Sequence, residues 1–391
     1  MLLNLDDYEI AARRRLPRPL HGYIAGAAES ASGFRDNRTV FDEMRLVPRV
    51  LRGVEERSIS HRLLGHKWEA PFGIAPMGIV ALMGFDGDVA TARAAAKAGI
   101  PYVLSGSSLT PMERVFDANP DAWFQAYLPG EEERITALVD RVRAAGFATL
   151  MLTADTAVLA NRENNLRAGF STPLKLTPRM IWDFGLRLRW VFGTFARTLI
   201  SSGMPHFENS YAERGAPIMS KRVARDFGRK DHLNWEHIRL IRDLWPGRLV
   251  LKGLLSPRDV AKARDFGCDG VMLSNHGGRQ LDHAISGTRA IAAAREEAGE
   301  MALMVDGGFR RGTDIVKALA LGADFVFVGR PFLFAVSLGG EGAVTQAIGI
   351  LKNELRRDLG LLGLREISEV DETILLSRPN SVAVTCETER D

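Results

Sequence analysis

Cysteine is almost missing from this 391-residue chain: Cys268 and Cys386 are the only two. Two such distant thiols match no metal-ligand spacing and cannot staple a small fold, so a reduced cytosolic setting without a metal site is expected. Long apolar runs are also missing. No stretch of 18 or more consecutive apolar residues occurs, which argues against a spanning helix. The opening MLLNLDDYEI is acidic early and has no long apolar core, so it does not read as a signal peptide. Excess charge is missing too: the net value is +3, too mild to imply a nucleic-acid partner. There is no low-complexity tract. What remains is an ordinary globular composition, 46% hydrophobic and 25% charged, enough for a sizeable core. Length alone suggests two or three domains, but α/β barrels run large as one.

The chain has one rhythm. Residues 4–45 are expected to be helical, with Asn4 or Asp6 as the first cap. Tyr23, between Gly22 and Gly26, fits either a core position or a phenol aimed at a ligand. From Ala70 onward short apolar runs alternate with helical patterns. The runs are Phe72–Ala75, Tyr102–Leu104, Trp123–Tyr127, Thr149–Thr153, Arg248–Lys252, Asp269–Leu273, Ala302–Asp306 and Asp324–Val328. Helices are expected between them, for example over Gly87–Ala98, Glu131–Ala145 and Gly312–Ala320. Eight such units predict an α/β fold, a closed TIM (β/α)8 barrel. The expected organisation is one domain over 1–391: an N-terminal helical segment (1–69), the barrel (70–335) with a long insertion after strand 4 (about 173–231), and C-terminal helices with a frayed tail (336–391).

A barrel of this kind places its chemistry at the C-terminal strand ends. Those ends carry Pro76, Ser105, Gln125, Tyr127, Asp155, Lys252, His276, Asp306 and Gly329. So many polar groups on one rim are hard to explain structurally. The stretch VMLSNHGGRQLD (Val271–Asp282) is the most informative: a buried strand stops and presents His276 and Arg279 around a glycine pair. Histidine titrates nearest neutrality, arginine grips carboxylates through paired hydrogen bonds, and glycines leave room for a flat ligand. After strands seven and eight come DGGFRRGTD and VGRPF. Gly307, Gly308 and Gly329 would offer backbone N–H groups there, with Arg310 or Arg330 adding charge, which together predict a phosphate site.

The insertion is too long for an ordinary βα link. Read as one helix, its middle puts Ile181, Phe184, Leu188, Val191, Phe192, Phe195 and Leu199 on one face, with Trp182 and Trp190 off that stripe. Residues 173–231 hold 11 Lys and Arg against 5 Asp and Glu, net +6, twice the net charge of the whole chain. Aromatics with basic residues suggest a helix lying in a membrane interface, and contact is expected over about 173–217. A helix packed on the barrel or on another subunit is the alternative.

The stretches SNHGGRQLD, DGGFRRGTDIVKALALGA and VGRPFLF together resemble the FMN-dependent L-2-hydroxy acid dehydrogenase and oxidase family, over Leu5 to about Arg356. NWEHIRLIRDLWPGRLVLKGLLS and AGIPYVLS are most similar to its membrane-associated mandelate and lactate dehydrogenase branch. The resemblance implies roles. His276 would be the active-site base and Asp155 its partner. Arg279 and Tyr23 would hold the substrate carboxylate, Tyr127 would sit near the substrate oxygen, and Arg162 would be the second active-site arginine. Lys252 would lie near flavin N1. Pro76, Met77, Gly78, Ser105, Gln125, Thr153 and Ser274 would contact the flavin, and Asp306, Gly308, Arg310, Gly329 and Arg330 would hold its ribityl and phosphate. The implied reaction oxidises an L-2-hydroxy acid, mandelate-like or lactate-like, to the 2-keto acid. His276 takes the hydroxyl proton and a hydride passes to flavin N5; initial removal of the α-proton would use the same residues.

Three positions refine the expectation. Gly78 stands where oxidases of the family tend to carry alanine, which favours a dehydrogenase passing electrons to a quinone-type acceptor. Ser107 is small where glycolate oxidase has tryptophan, which should admit an aryl or longer acid. Asn165 replaces a frequent aspartate without touching a catalytic role. The expected setting is peripheral, on the cytoplasmic side of a membrane, or else soluble in the cytoplasm; a homotetramer is implied by the family. The competing readings are an oxygen-dependent oxidase forming hydrogen peroxide and, less favoured, a non-redox flavin isomerase or a silent flavin-binding protein.

Overall fold

The computed structural model describes residues 1–171, 177–220 and 230–376. The tail with Cys386, and residues 172–176 and 221–229 of the insertion, lie outside them.

Local sequence accounts for the N-terminal helices. In α1 (Leu5–Arg15), the Asn4 side chain accepts from the N–H groups of Asp6 and Asp7, and the Asp7 carboxylate accepts from the Asn4 N–H. Acids open this helix and three arginines close it, both favourable to its dipole. Pro17 then breaks the chain before α2 (Arg18–Ala25), and α3 (Ser32–Asp42) follows. The stretch 4–45 is therefore three helices, the last ending at Asp42. The segment 1–69 is also not wholly helical. Strands β1 (His61–Leu63) and β2 (His66–Trp68) form a hairpin whose turn residues, Leu64 and Gly65, both have positive φ, as a tight two-residue hairpin turn requires.

Eight parallel strands form the barrel: β3 (Phe72–Ile74), β4 (Val103–Ser105), β5 (Trp123–Ala126), β6 (Thr149–Thr153), β7 (Arg248–Leu254), β8 (Gly270–Leu273), β9 (Ala302–Asp306) and β10 (Phe325–Val328). Each pairs with its neighbour, β10 pairs with β3, and a parallel bridge from Ile74 to Tyr102 joins the last seam. Period-2 alternation sorts the side chains. In β6, Met151 points into the barrel interior, while Leu150 and Leu152 face the helix layer. Trp123, Met272, Met304, Phe325 and Phe327 fill the interior, and Leu63 and Trp68 of the hairpin plug it from below. These side chains pack the barrel interior beneath its rim.

Two further expectations need correction. Residues 180–200 do not form one helix. Helix Pro178–Gly185 ends, the chain turns at Arg187 (φ −106°, ψ 56°), and a π-helical turn over Val191–Ala196 leads into Arg197–Ser202. The break and the wider π turn shift the phase, so the anticipated stripe splits. Phe184 and Phe195 stack on Trp190, which is buried and donates its indole N–H to the Leu82 carbonyl at 2.7 Å. Ile181, Leu188 and Phe192 point outward, together with Trp182. The C-terminal helix begins at Arg330, before the expected 336, and runs to Leu362. It has the length and apolarity to cross a membrane, with mean hydropathy 1.3. However, it is broken at Gly339 and Gly340 and packs against α1 and helix Gly87–Ala98 as a core element.

Candidate active site

A cavity of about 290 Å³ opens at the rim where β3 to β10 end. The loop after β8 enters it on a strained backbone: His276 (φ +57°), Gly277 (+66°) and Gly278 (+72°) are all left-handed. A Cβ on Gly278 would sit 2.5 Å from the backbone of Phe34, so only glycine lets α3 approach this closely. Asn275 is buried and clamps the loop. Its Nδ2 donates to the Gly33 and Ile285 carbonyls, and its Oδ1 accepts from Asn37 and from the Gly278 N–H. Asp282 adds a second tie, accepting from Ser30 and from the Gly33 N–H. A non-glycine residue held in this region by so many bonds is a common signature of functional strain.

His276 Nδ1 lies 2.9 and 3.2 Å from the two carboxylate oxygens of Asp155, at the end of β6. A bulge at Gly253 in β7 makes room for that carboxylate: a Cβ there would fall 2.8 Å from Asp155. Burial pushes the Asp155 carboxyl upward, but His276, Lys252 and Arg162 outweigh it and hold the group below its ordinary range. Lys252 Nζ donates to Ser274 Oγ at 2.7 Å and to Asp306 Oδ2 at 2.5 Å. The same serine oxygen accepts the His276 N–H, so one hydroxyl links the lysine to the histidine loop.

Arg279 Nη1 donates to the carbonyls of Tyr23 and Gly26, while its buried Nη2 has no protein partner. Its guanidinium lies 4.8 Å from the centroid of the Tyr23 ring. Burial, with Arg162 nearby, lowers its pKa to about 10. Arg162 also lines the cavity and is oriented by the Arg279 carbonyl and by Gln280. Burial, then the Asp155 charge, raises the Tyr127 phenol and keeps it protonated.

The remaining positions separate by depth. Pro76, Met77, Gly78, Thr153, Asp306, Gly308, Arg310, Gly329 and Arg330 line the cavity with the residues above. Asp155, Ser105, Gln125 and Ser274 lie behind that wall, Ser105 donating to Gln125 Oε1 at 3.1 Å. Across the two layers three buried atoms have no protein partner: Gln125 Nε2, Thr153 Oγ1 and Asp306 Oδ1. Buried polar atoms are rarely left so, and together they supply what a flavin ring and a ribityl chain would bond. At the far end, burial lowers the pKa of both Arg310 and Arg330, and for Arg330 the charges of Arg279 and Arg310 add to it. Arg310 reaches the Asp6 and Glu9 carboxylates at 3.4 and 4.0 Å, whereas among the described residues no carboxylate pairs with Arg330; a phosphate dianion would supply its counter-charge. The guanidinium of Arg330 donates to the Ile24, Gly26 and Gly277 carbonyls, so it also staples α2 to the histidine loop. The residues fit FMN.

Sequence reasoning overlooked Asn275, Gln280, Phe170 and Lys230. The first two sit inside SNHGGRQLD and were legible as parts of it. Phe170 packs on Tyr23 at 4.6 Å between centroids. Lys230 lines the cavity from the end of the insertion, where nothing marked it among eleven basic residues.

The model of the family described as FMN-dependent dehydrogenase matches residues 12–377. (S)-mandelate dehydrogenase from Pseudomonas putida is 38% identical over 381 residues, 96% of this chain and 94% of that protein. An L-lactate dehydrogenase from Ectopseudomonas mendocina is 34% identical over 384 residues, 95% of this chain and 97% of its own length. Among solved structures, the monotopic membrane protein (S)-mandelate dehydrogenase superposes with a TM-score of 0.88 at 38% identity, covering 96% of this chain and 99% of that one. A mandelate oxidase superposes with a TM-score of 0.79 at 29% identity, covering 98% and 100%.

Proposed function

The chain belongs to the FMN-dependent dehydrogenase family, and from that premise we propose that it oxidises an L-2-hydroxy acid of the mandelate or lactate type to the 2-keto acid and reduces a quinone. The observation that carries the reading is one juxtaposition. A histidine hydrogen-bonded to a largely shielded carboxylate shares a cavity with an arginine that keeps an unpartnered buried nitrogen.

FMN, when bound, accepts the two electrons that leave the substrate. Gln125, Thr153 and Lys252 would hold its ring, Asp306 its ribityl chain, and Gly308, Arg310, Gly329 and Arg330 its phosphate. Arg279, steadied by the Tyr23 and Gly26 carbonyls, presents Nη2 to the substrate carboxylate, and Arg162 and Tyr23 complete that grip. His276 has Nδ1 committed to Asp155, which leaves Nε2 to take the hydroxyl proton. Asp155 remains ionised and stabilises the imidazolium that forms. Tyr127, kept protonated, donates to the substrate oxygen. Lys252, held by Ser274 and Asp306, would offer its ammonium to the ring when the ring gains negative charge. Phe170, Phe207 and Ile218 give the cavity an apolar flank.

The outer face of the insertion supports a membrane seat. Ile181, Trp182, Leu186, Leu188, Phe192 and Ile200 are each more than half exposed, and Arg179, Arg189 and Arg197 stand exposed among them. Apolar and basic groups on one surface suit an anionic bilayer interface. The proposed setting is therefore peripheral, on the cytoplasmic face, with a homotetramer as the assembly. A similar protein is described as a monotopic membrane protein, which agrees with this seat.

Incubation of the purified protein with an L-2-hydroxy acid and a soluble quinone analogue tests the reading. One keto acid should form per quinol, and the D-enantiomer should give none. Oxygen uptake with stoichiometric peroxide and no quinone reduction would assign the chain to the oxidases instead.

A further inference from the structure

One cation in the cavity has no part in that scheme. Lys230 ends the long connection from β6 and lines the same cavity as His276, Arg279 and Tyr127, with only 9% of its surface exposed. Its backbone N–H donates to the Ala157 carbonyl at 3.0 Å, which anchors it beside the loop that carries Asp155. Its Nζ lies 5.1 Å from the centroid of the Tyr127 ring. Among the described residues no carboxylate forms an ion pair with it. Burial lowers its pKa to about 8, so the ammonium still carries most of its charge at neutral pH.

An ammonium buried without a counter-charge is costly, and a contact with an aromatic face compensates only in part. Phe207 and Ile218, which line the same cavity, carry no charge to balance it. The substrate's own carboxylate does not explain it either, because Arg279 and Arg162 already serve that group. The lysine stands over the Tyr127 ring in the same cavity, so the rest of a substrate held by Arg279 would share that space with it.

We propose that Lys230 binds a second anionic group at the end of the substrate's side chain, so that the preferred substrates are L-2-hydroxy acids with a terminal carboxylate. The inference rests on the 2-hydroxy acid reading above and narrows it from aryl and alkyl acids to dicarboxylates. Charge-assisted hydrogen bonds to a buried cation are stronger than neutral ones, and a missing partner leaves the cation unpaired. The neutral analogue should therefore be the poorer substrate.

The test is anaerobic reduction of the bound flavin by matched pairs of L-acids, each diacid set against the acid with methyl in place of its terminal carboxylate. The pairs are malate with 2-hydroxybutyrate, 2-hydroxyglutarate with 2-hydroxypentanoate, 2-hydroxyadipate with 2-hydroxyhexanoate, and 4-carboxymandelate with 4-methylmandelate. At least one diacid should exceed its partner in limiting rate over apparent Kd by roughly 10- to 100-fold. Lys230→Met should bring that ratio to one or below, and Lys230→Arg should restore part of it. Flavin content and Tm report whether each variant has folded. If Lys230→Met does not fold, the wild-type ratios and the arginine variant decide the matter. Neutral acids matching or exceeding their diacids in every pair, or a ratio unchanged in Lys230→Met, would overturn the inference and leave the reaction standing. Flavin that no acid bleaches would remove both.

Discussion

Replacing Asp155 with asparagine separates charge from position at the reaction centre. The amide keeps an oxygen for His276 Nδ1, now 2.9 Å from the carboxylate, but loses the negative charge that faces the imidazolium. Two unit charges about 4 Å apart at an effective dielectric constant near 20 attract by about 4 kcal/mol. A retained neutral hydrogen bond returns about 1 kcal/mol. The difference, about 3 kcal/mol, slows proton removal and flavin reduction by roughly 100-fold. Apparent substrate affinity should move much less, because Arg279 and Arg162 remain. Stopped-flow bleaching of the visible flavin band under anaerobic conditions gives the limiting rate and the affinity separately. A rate within about threefold of wild type, in a variant that keeps its flavin, would refute the role given to Asp155. The pair also has a pH signature. Because His276, Lys252 and Arg162 hold the folded carboxyl below its unfolded value, its stabilisation is complete above about pH 4. It is lost as pH falls through the folded value, so wild type and Asp155→Asn should converge in stability in acid.

His276→Asn should keep the yellow flavin and lose about 10²- to 10⁴-fold in reduction rate; undiminished reduction would move the base elsewhere. Gly308→Ala places a Cβ 1.9 Å from the Asn37 carbonyl oxygen at φ +86°. It should be purified with little flavin and be less stable by at least about 2 kcal/mol in denaturant titration; full flavin content would show that α3 yields easily. Asp88 is buried against Tyr102 and Thr110, and burial raises its carboxyl to about 6. The folded state holds that proton more tightly, so stability falls as pH rises from about 4 through 6, and Asp88→Asn should flatten that decline in Tm against pH. Serine at Trp182, Leu186, Phe192 and Ile200 removes exposed apolar groups from the insertion. Each is worth on the order of 1.5–3 kcal/mol when buried, so the variant should leave the membrane fraction without detergent while keeping its rate of flavin reduction.

The barrel was legible because its signals are local. Each strand is a short apolar run, most of them followed at once by a polar rim residue, and β6 and β9 fall on the expected residues throughout. The rim chemistry was legible for the same reason: SNHGGRQLD, DGGFRRGTD and VGRPF each keep their functional groups within one turn of chain. What escaped depends on geometry that no window contains. The hairpin β1–β2 consists of two three-residue strands, too short for periodicity to register. The helical wheel failed over 180–200 because one turn at Arg187 and one π turn re-aim every later side chain. Trp190, set off the stripe on the wheel, proved to be the buried pivot of that segment. Lys230 reaches the cavity only through the return of a long connection, so its position could not be read from neighbours in the sequence.

The central claim, that this cavity removes two electrons and a proton from an L-2-hydroxy acid, is tested most directly by a single turnover without acceptor. The purified flavoprotein is mixed anaerobically with (S)-mandelate, L-lactate and the dicarboxylic L-acids, and then with their D-enantiomers. The account predicts full bleaching by at least one L-acid, one keto acid per flavin, and no bleaching by its mirror image. A flavin that stays oxidised with every L-acid, or that both enantiomers bleach equally, would contradict it.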